Sequence, residues 1–130
     1  MPQRLYIAVI DDDESLCRSL ARLLHQAGFH AISYQSAEEF LSDPLRTHFR
    51  CLLVDIQLGG MSGIELHGEL IASGDRTPVI YITAFDDPNA ETQAREMGSA
   101  GFFRKSDAGT DILEAVRRVT AAPVAGGRPA

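Results

Sequence analysis

The sequence has few cysteines, no excess of positive charge and no long hydrophobic run, and each absence excludes a class of protein. Only two cysteines, Cys17 and Cys51, occur in 130 residues, and their separation is not that of a metal site. A disulfide stays open in principle, but we expect both to be reduced and buried, because we find no export signal. The net charge of −6 disfavours nucleic acid and anionic membranes as main partners. No run is long enough to cross a membrane, so we expect a cytoplasmic protein.

The hydrophobic residues, 45% of the chain, form short runs that alternate with helical patterns. A chain of this length can bury one core but not two. Continuous apolar runs at residues 5–10, 51–54 and 79–82 predict strands buried on both faces of a parallel sheet. Residues 31–34 and 100–103 are weaker strand candidates.

Five helices are predicted, one after each strand. The first ends before Gly28, and the second begins with a capping-box pattern at Ser36 and Glu39. The fourth begins at Pro88, and the third and fifth show apolar residues at helical spacing. Five strand–helix units predict an α/β fold: a doubly wound five-stranded parallel sheet in the flavodoxin-like order 2-1-3-4-5, with helices on both faces. We expect one domain over residues 1–120 and a linker or disordered tail over residues 121–130.

Polar residues follow the predicted strands at the edge where open α/β sheets bind ligands. They are Asp11 and Asp12 after the first strand, Asp55 after the third, Thr83 after the fourth and Lys105 after the fifth. Clustered carboxylates repel one another unless a cation neutralises them, and a hard divalent ion such as Mg²⁺ fits this need. A carboxylate nucleophile, a metal, a hydroxyl and an ammonium group are the components of phosphoryl transfer to a carboxylate. We interpret the neighbouring Asp13 as the N-cap of the first helix.

These residues lie in five ordered motifs. The motifs are Val9-Ile10-Asp11-Asp12-Asp13-Glu14, Leu53-Val54-Asp55-Ile56, Met61-Ser62-Gly63, Ile82-Thr83-Ala84 and Phe102-Phe103-Arg104-Lys105. Each motif is common by itself, but together they resemble the receiver domains of two-component response regulators over roughly residues 4–120. The resemblance implies that Asp55 is the phosphoacceptor and also contacts Mg²⁺. It further implies that Asp12 is a direct Mg²⁺ ligand, that Asp11 acts through water, and that the backbone carbonyl of Gln57 completes the protein ligands.

The same resemblance implies how a signal would pass through the domain. Thr83 and Lys105 would bind phosphoryl oxygens, and Phe102 would turn inward when Thr83 moves. The surface around helix 4, strand 5 and helix 5 would then change and control an output domain or a partner. A sensor histidine kinase would be the phosphodonor, and a homodimer on activation stays open. We expect no direct nucleic-acid or membrane contact, and no turnover enzyme beyond assisting its own phosphorylation and slow dephosphorylation.

Two positions depart from the family pattern. The family often has Met-Pro where this chain has Leu58-Gly59, followed by Gly60, which predicts a more flexible loop. Ser106 replaces the proline that usually follows Lys105 in the family, where the bond is typically cis. Because a cis bond without proline costs about 2.5–4 kcal/mol, we predict a trans bond here. We also expect the following loop to be displaced or mobile and Lys105 to be less firmly held.

Three other functions use related residues. A pseudo-receiver would keep the fold as an interaction module without phosphorylation. An aspartyl-phosphate phosphatase would need a second Asp two positions after its nucleophile, where this chain has Gln57. A flavin or nucleotide binder would need a glycine-rich phosphate loop after the first strand, where this chain has acids. The phosphorylated switch is therefore the favoured interpretation.

Overall fold

Five parallel strands and five α-helices alternate along the chain in a computed structural model that describes residues 5–84 and 87–121. The strands are β1 (Tyr6–Ile10), β2 (His30–Tyr34), β3 (Phe49–Asp55), β4 (Val79–Thr83) and β5 (Gly101–Arg104). The helices are α1 (Glu14–Gln26), α2 (Ala37–Ser42), α3 (Gly63–Ala72), α4 (Pro88–Glu96) and α5 (Gly109–Ala121). The strands form one parallel sheet in the order β2-β1-β3-β4-β5. The predicted fold class is confirmed.

The apolar runs of the central strands supply both faces of the sheet. Successive side chains of a strand point to opposite faces, so Ile7 and Val9 join one core while Ala8 and Ile10 join the other. Helices α1 and α5 cover the first face, and α2, α3 and α4 cover the second. Every residue of β4 is buried. Two covered faces explain why these strands read as continuous rather than alternating hydrophobic segments.

The helix starts agree with the predictions except for one cap. Asp13 caps α1 as predicted, because its carboxylate accepts a hydrogen bond from Leu16 N–H at 3.2 Å. Ser36 caps α2, but the reciprocal half of the predicted capping box is absent, since Glu39 accepts from Gln35 N–H at 2.6 Å. A complete capping box occurs instead at α3, between Ser62 and Glu65.

Four further features concern a short helix, the two cysteines, the end of α5 and the length of the helices. A short 3-10 helix, Pro44–His48, follows α2 and was not predicted. Cys17 and Cys51 are buried and free, as expected. Helix α5 includes Ala121, so the rest of the predicted tail, residues 122–130, lies outside the described part of the chain. No helix within residues 5–84 and 87–121 is long and apolar enough to span a bilayer.

Candidate functional site

Three carboxylates converge at the carboxyl edge of the sheet. Asp11 follows β1 and Asp55 ends β3, and these strands are neighbours whose last paired residues are Ile10 and Val54. One oxygen each from Asp11, Asp12 and Asp55 lies within 4.8 Å of the others. Asp11 and Asp55 are buried and Asp12 is exposed, so the cluster opens to solvent on one side. These acids, which are far apart in the sequence, therefore meet at the edge of the sheet where the strand order predicts.

Lys105 reaches into this cluster from the end of β5. Its Nζ lies 3.0 Å from Oδ2 of Asp55 and 3.1 Å from both Oδ1 and Oδ2 of Asp11. The side chain of Lys105 is 19% exposed, and the facing carboxylates are 3% exposed. The ammonium group thus bridges the two buried acids.

The loop after Lys105 bears on two expectations. The Lys105–Ser106 bond is trans, as predicted. The Lys105 side chain nevertheless reaches the site, because its Nζ bridges Asp55 and Asp11, and the expected mobility of the loop and of Lys105 stays a prediction. Asp107 stabilises the turn: its carboxylate accepts from Arg104 N–H and its own N–H donates to the Arg104 carbonyl, both at 2.9 Å. Hydrogen bonds, rather than apolar packing, therefore stabilise this turn.

The site contains more carboxylates than positively charged groups, and this affects the pKa values of Asp11 and Lys105. Burial, and to a lesser degree the nearby Asp55, raise the pKa of Asp11 to about 6, despite the opposing effects of Asp13 N–H and Lys105. Burial alone would lower the pKa of Lys105, but its hydrogen bonds to Asp55 and Asp11 outweigh this and raise it. The lysine therefore stays charged at neutral pH, while one ammonium group incompletely compensates the carboxylates.

The oxygen-rich donor set fits Mg²⁺. Carboxylate oxygens and a backbone carbonyl are the ligands this ion prefers, and the exposed side leaves room for water and phosphate oxygens. Asp11, Asp12 and Asp55 supply the carboxylates. Gln57 lies beside the cluster, since its N–H donates to Oδ1 of Asp55 at 2.9 Å, and its side chain points to solvent. The backbone carbonyl of Gln57 is the candidate for a further ligand.

Gly63 explains the third sequence motif. A Cβ on this residue would collide with the backbone carbonyl oxygen of Asp55 and approach Cγ1 of Val54 to 2.9 Å. The first turn of α3 therefore packs directly on the end of the strand that carries Asp55. Only glycine permits so close an approach without a shift of the helix.

The two proposed switch residues lie on neighbouring strands. Thr83 ends β4, is 2% exposed, and accepts Lys105 N–H through its carbonyl at 2.8 Å. Phe102 is half-buried against the core under α3 and α4, and its ring lies 6.5 Å from that of its register partner Tyr81. Tyr81 is two residues before Thr83, so one short stretch of β4 contacts both the site and Phe102.

Two contacts near the site were missed from the sequence. His67 Nδ1 lies 2.8 Å from the buried Tyr81 hydroxyl, and burial lowers the pKa of this histidine. Glu38 of α2 accepts a hydrogen bond from Met61 N–H at 2.8 Å, and this bond is the main cause of a lowered Glu38 pKa. Met61 begins the third motif, but its partner Glu38 and the His67–Tyr81 pair lie in no motif. No local pattern signals contacts across 14 and 23 positions.

Comparisons with known proteins agree with this geometry. The family model described as the response regulator receiver domain matches residues 7–117. The chain is 36% identical over 117 residues to the transcriptional regulatory protein FixJ of Azorhizobium caulinodans, covering 90% of this chain and 56% of that protein. It is 30% identical over 115 residues to the response regulator protein TmoT of Ectopseudomonas mendocina, covering 88% and 52% respectively. The chain thus spans about half the length of these curated relatives.

Solved structures give the same result. The crystal structure of FixJ-N matches with a TM-score of 0.82 and 32% identity, covering 95% of this chain and 99% of that chain. The response regulator StyR matches with a TM-score of 0.83 and 33% identity, covering 91% and 60%. The strand order, the acidic cluster at the sheet edge and these matches lead to one conclusion: the chain is a response-regulator receiver domain of two-component signal transduction.

Proposed function

We propose that this receiver domain is a phosphorylation-controlled switch whose acceptor is Asp55. The observation that carries the proposal is the bridge from Lys105 Nζ to Asp55 and Asp11 at 3.0–3.1 Å beside the exposed Asp12. A buried carboxylate at a strand end is costly unless charged groups compensate it. Here Lys105 compensates Asp55, which is the candidate nucleophile. The phosphodonor is a phosphohistidine of a sensor kinase.

The transfer step makes one bond and breaks one bond. A carboxylate oxygen of Asp55 attacks phosphorus, a P–O bond forms, the P–N bond breaks, and the imidazole leaves with the electron pair. Mg²⁺, held by Asp12, Asp55 and the Gln57 carbonyl, and by Asp11 through water, would supply positive charge for the phosphoryl oxygens. Lys105 moves from its carboxylate pairs to a phosphoryl oxygen, and the Thr83 hydroxyl donates to another.

The output is a change of surface rather than a released product. New hydrogen bonds to Thr83 and Lys105 bias the ends of β4 and β5, and Phe102 follows through its packing on Tyr81. The surface around α4, β5 and α5 then controls an output domain or a partner, and a homodimer on activation is compatible with it. We infer a cytoplasmic location and one domain that includes the whole of α5 to Ala121, with a linker or tail after it.

Labelling with a small acyl phosphate in the presence of Mg²⁺ tests the acceptor. We expect the parent chain to take up one phosphoryl group, D55N to take up none, and the matched control D13N to behave like the parent. Asp13 has the same charge but caps α1. Equal labelling of D55N and the parent would make the assignment wrong. Many turnovers of a phosphomonoester per chain would instead support a phosphatase.

A further inference from the structure

The proposed carbonyl ligand Gln57 is the second residue after Asp55, and Leu58 N–H donates to the Ile56 carbonyl across it at 3.2 Å. Little restricts the backbone after Leu58. Leu58 is anchored in the core, with 9% of its surface exposed. Two exposed glycines follow, and glycine loses more backbone freedom on ordering than any other residue. A contact from outside the loop would reduce this freedom and so help to fix the direction of the Gln57 carbonyl.

Glu38 makes such a contact from the first turn of α2. Its Oε2 accepts Met61 N–H at 2.8 Å. Gly60, which precedes Met61, has φ +78°, and a Cβ there would lie only 2.8 Å from the same Oε2 atom. Glycine at position 60 therefore permits both the left-handed backbone and the close approach of the carboxylate. The Glu38 carboxylate thus occupies the space beside this glycine as well as bonding to Met61.

The far end of the loop is fixed independently. Gly63 N–H donates to the Ile56 carbonyl at 3.1 Å, and the Ser62–Glu65 capping box begins α3. Between the buried Leu58 and this capped end, the Glu38 bond is attached near the middle of the free stretch. A bond placed there restrains backbone angles on both sides of it.

We propose that Glu38 is a positioning residue for the metal site: its hydrogen bond to Met61 N–H orders the loop and thereby aims the Gln57 carbonyl. The inference rests on the proposed function, because it assumes that this carbonyl is a Mg²⁺ ligand. Glu38 itself touches neither the metal nor the phosphoryl group in this arrangement.

The test compares E38A and E38Q with the matched control E39A. Glu39 lies in the same turn of α2 and also accepts a backbone N–H, but that of Gln35 rather than of the loop. Mg²⁺ affinity is measured by calorimetric titration. Exchange of the Met61 amide is measured by NMR without metal, with the Leu66 amide in α3 as the internal reference.

We expect E38A to raise the Mg²⁺ dissociation constant about three- to tenfold and to speed Met61 exchange, with Leu66 unchanged. E38Q keeps an acceptor oxygen, so it and E39A should stay within about twofold of the parent. Unchanged Mg²⁺ affinity in E38A, or equal losses in E38A and either other variant, would overturn the positioning role. A parent chain that binds no Mg²⁺ would instead overturn the proposed function and this inference with it.

Discussion

Adjacent acids in the Asp11–Asp12–Asp13 run have different surroundings in the fold. Asp11 is buried, accepts Asp13 N–H at 2.8 Å and pairs with Lys105. Asp12 is exposed and contributes an oxygen to the carboxylate cluster. Asp13 turns its carboxylate to Leu16 N–H at the start of α1. Adjacent residues, Asp12 and Asp13, are therefore a candidate ligand and a helix cap.

This difference predicts unequal effects on metal binding. D12A should lose most Mg²⁺ affinity, because a direct ligand supplies both charge and geometry. D13A should keep that affinity and lose about 0.5–2 kcal/mol of unfolding free energy, because it removes only a helix cap. Titration of both variants with Mg²⁺, together with their urea unfolding curves, separates the two effects. Equal losses of metal affinity would contradict the ligand assignment.

At the scale of elements, the packing of α3 on β3 depends on a missing side chain. G63A should lower the unfolding free energy by roughly 1–3 kcal/mol, because the new Cβ would collide with the Asp55 carbonyl oxygen. The control is G68A in the same helix, where a Cβ would meet only Cε of Met97 at 3.6 Å. Alanine there should be neutral or stabilising by about 0.5–1 kcal/mol. Similar unfolding midpoints for the two variants would show that α3 shifts without cost.

The second element-scale prediction concerns activation. Phosphorylated and free forms should differ in amide exchange in α4 and β5, because Phe102 packs on Tyr81 and the Lys105 N–H bonds to Thr83. Helix α1 packs on the opposite face of the sheet from Tyr81 and Phe102 and should serve as the internal reference. The D55N variant, treated with the same phosphodonor, should show no difference. A change confined to α1 and α2 would contradict the proposed route.

At the scale of the whole molecule, the site costs stability. The pKa of Asp11 is raised in the folded state from 3.8 to about 6, so the folded protein binds this proton more tightly than the unfolded chain. Stability should therefore fall as the pH rises through this window and stay lower above it. D11N should be more stable than the parent at pH 7, by on the order of 1–3 kcal/mol.

Thermal unfolding of the metal-free proteins across pH checks this prediction. The advantage of D11N should vanish below about pH 4, where the parent carboxyl is protonated in both states. Added Mg²⁺ should narrow the difference at pH 7, because a bound cation stabilises the parent by mass action. An advantage of D11N that does not change with pH would show that charge burial is not its cause.

The order of strands and helices, and the meeting of Asp11, Asp12 and Asp55, were predictable from the sequence. Hydrophobic periodicity is local, and in a parallel sheet it places every strand end at one edge, so residues far apart in the chain converge without knowledge of any contact. The family motifs assigned a role to each of these residues. Those roles, including phosphorylation and Mg²⁺ binding, stay predictions.

Only the tertiary structure decided the contacts that depend on distances between remote backbone and side-chain atoms. Glu39 has the residue type that a capping box needs, yet its carboxylate accepts the N–H of Gln35 instead of that of the N-cap Ser36. Lys105 reaches its partners despite Ser106, because Asp107 holds the turn. Glu38 accepts the Met61 N–H because α2 and the loop after Asp55 pack on the same side of the sheet. Periodicity carries no information about such pairs, since each depends on how whole elements are placed relative to one another.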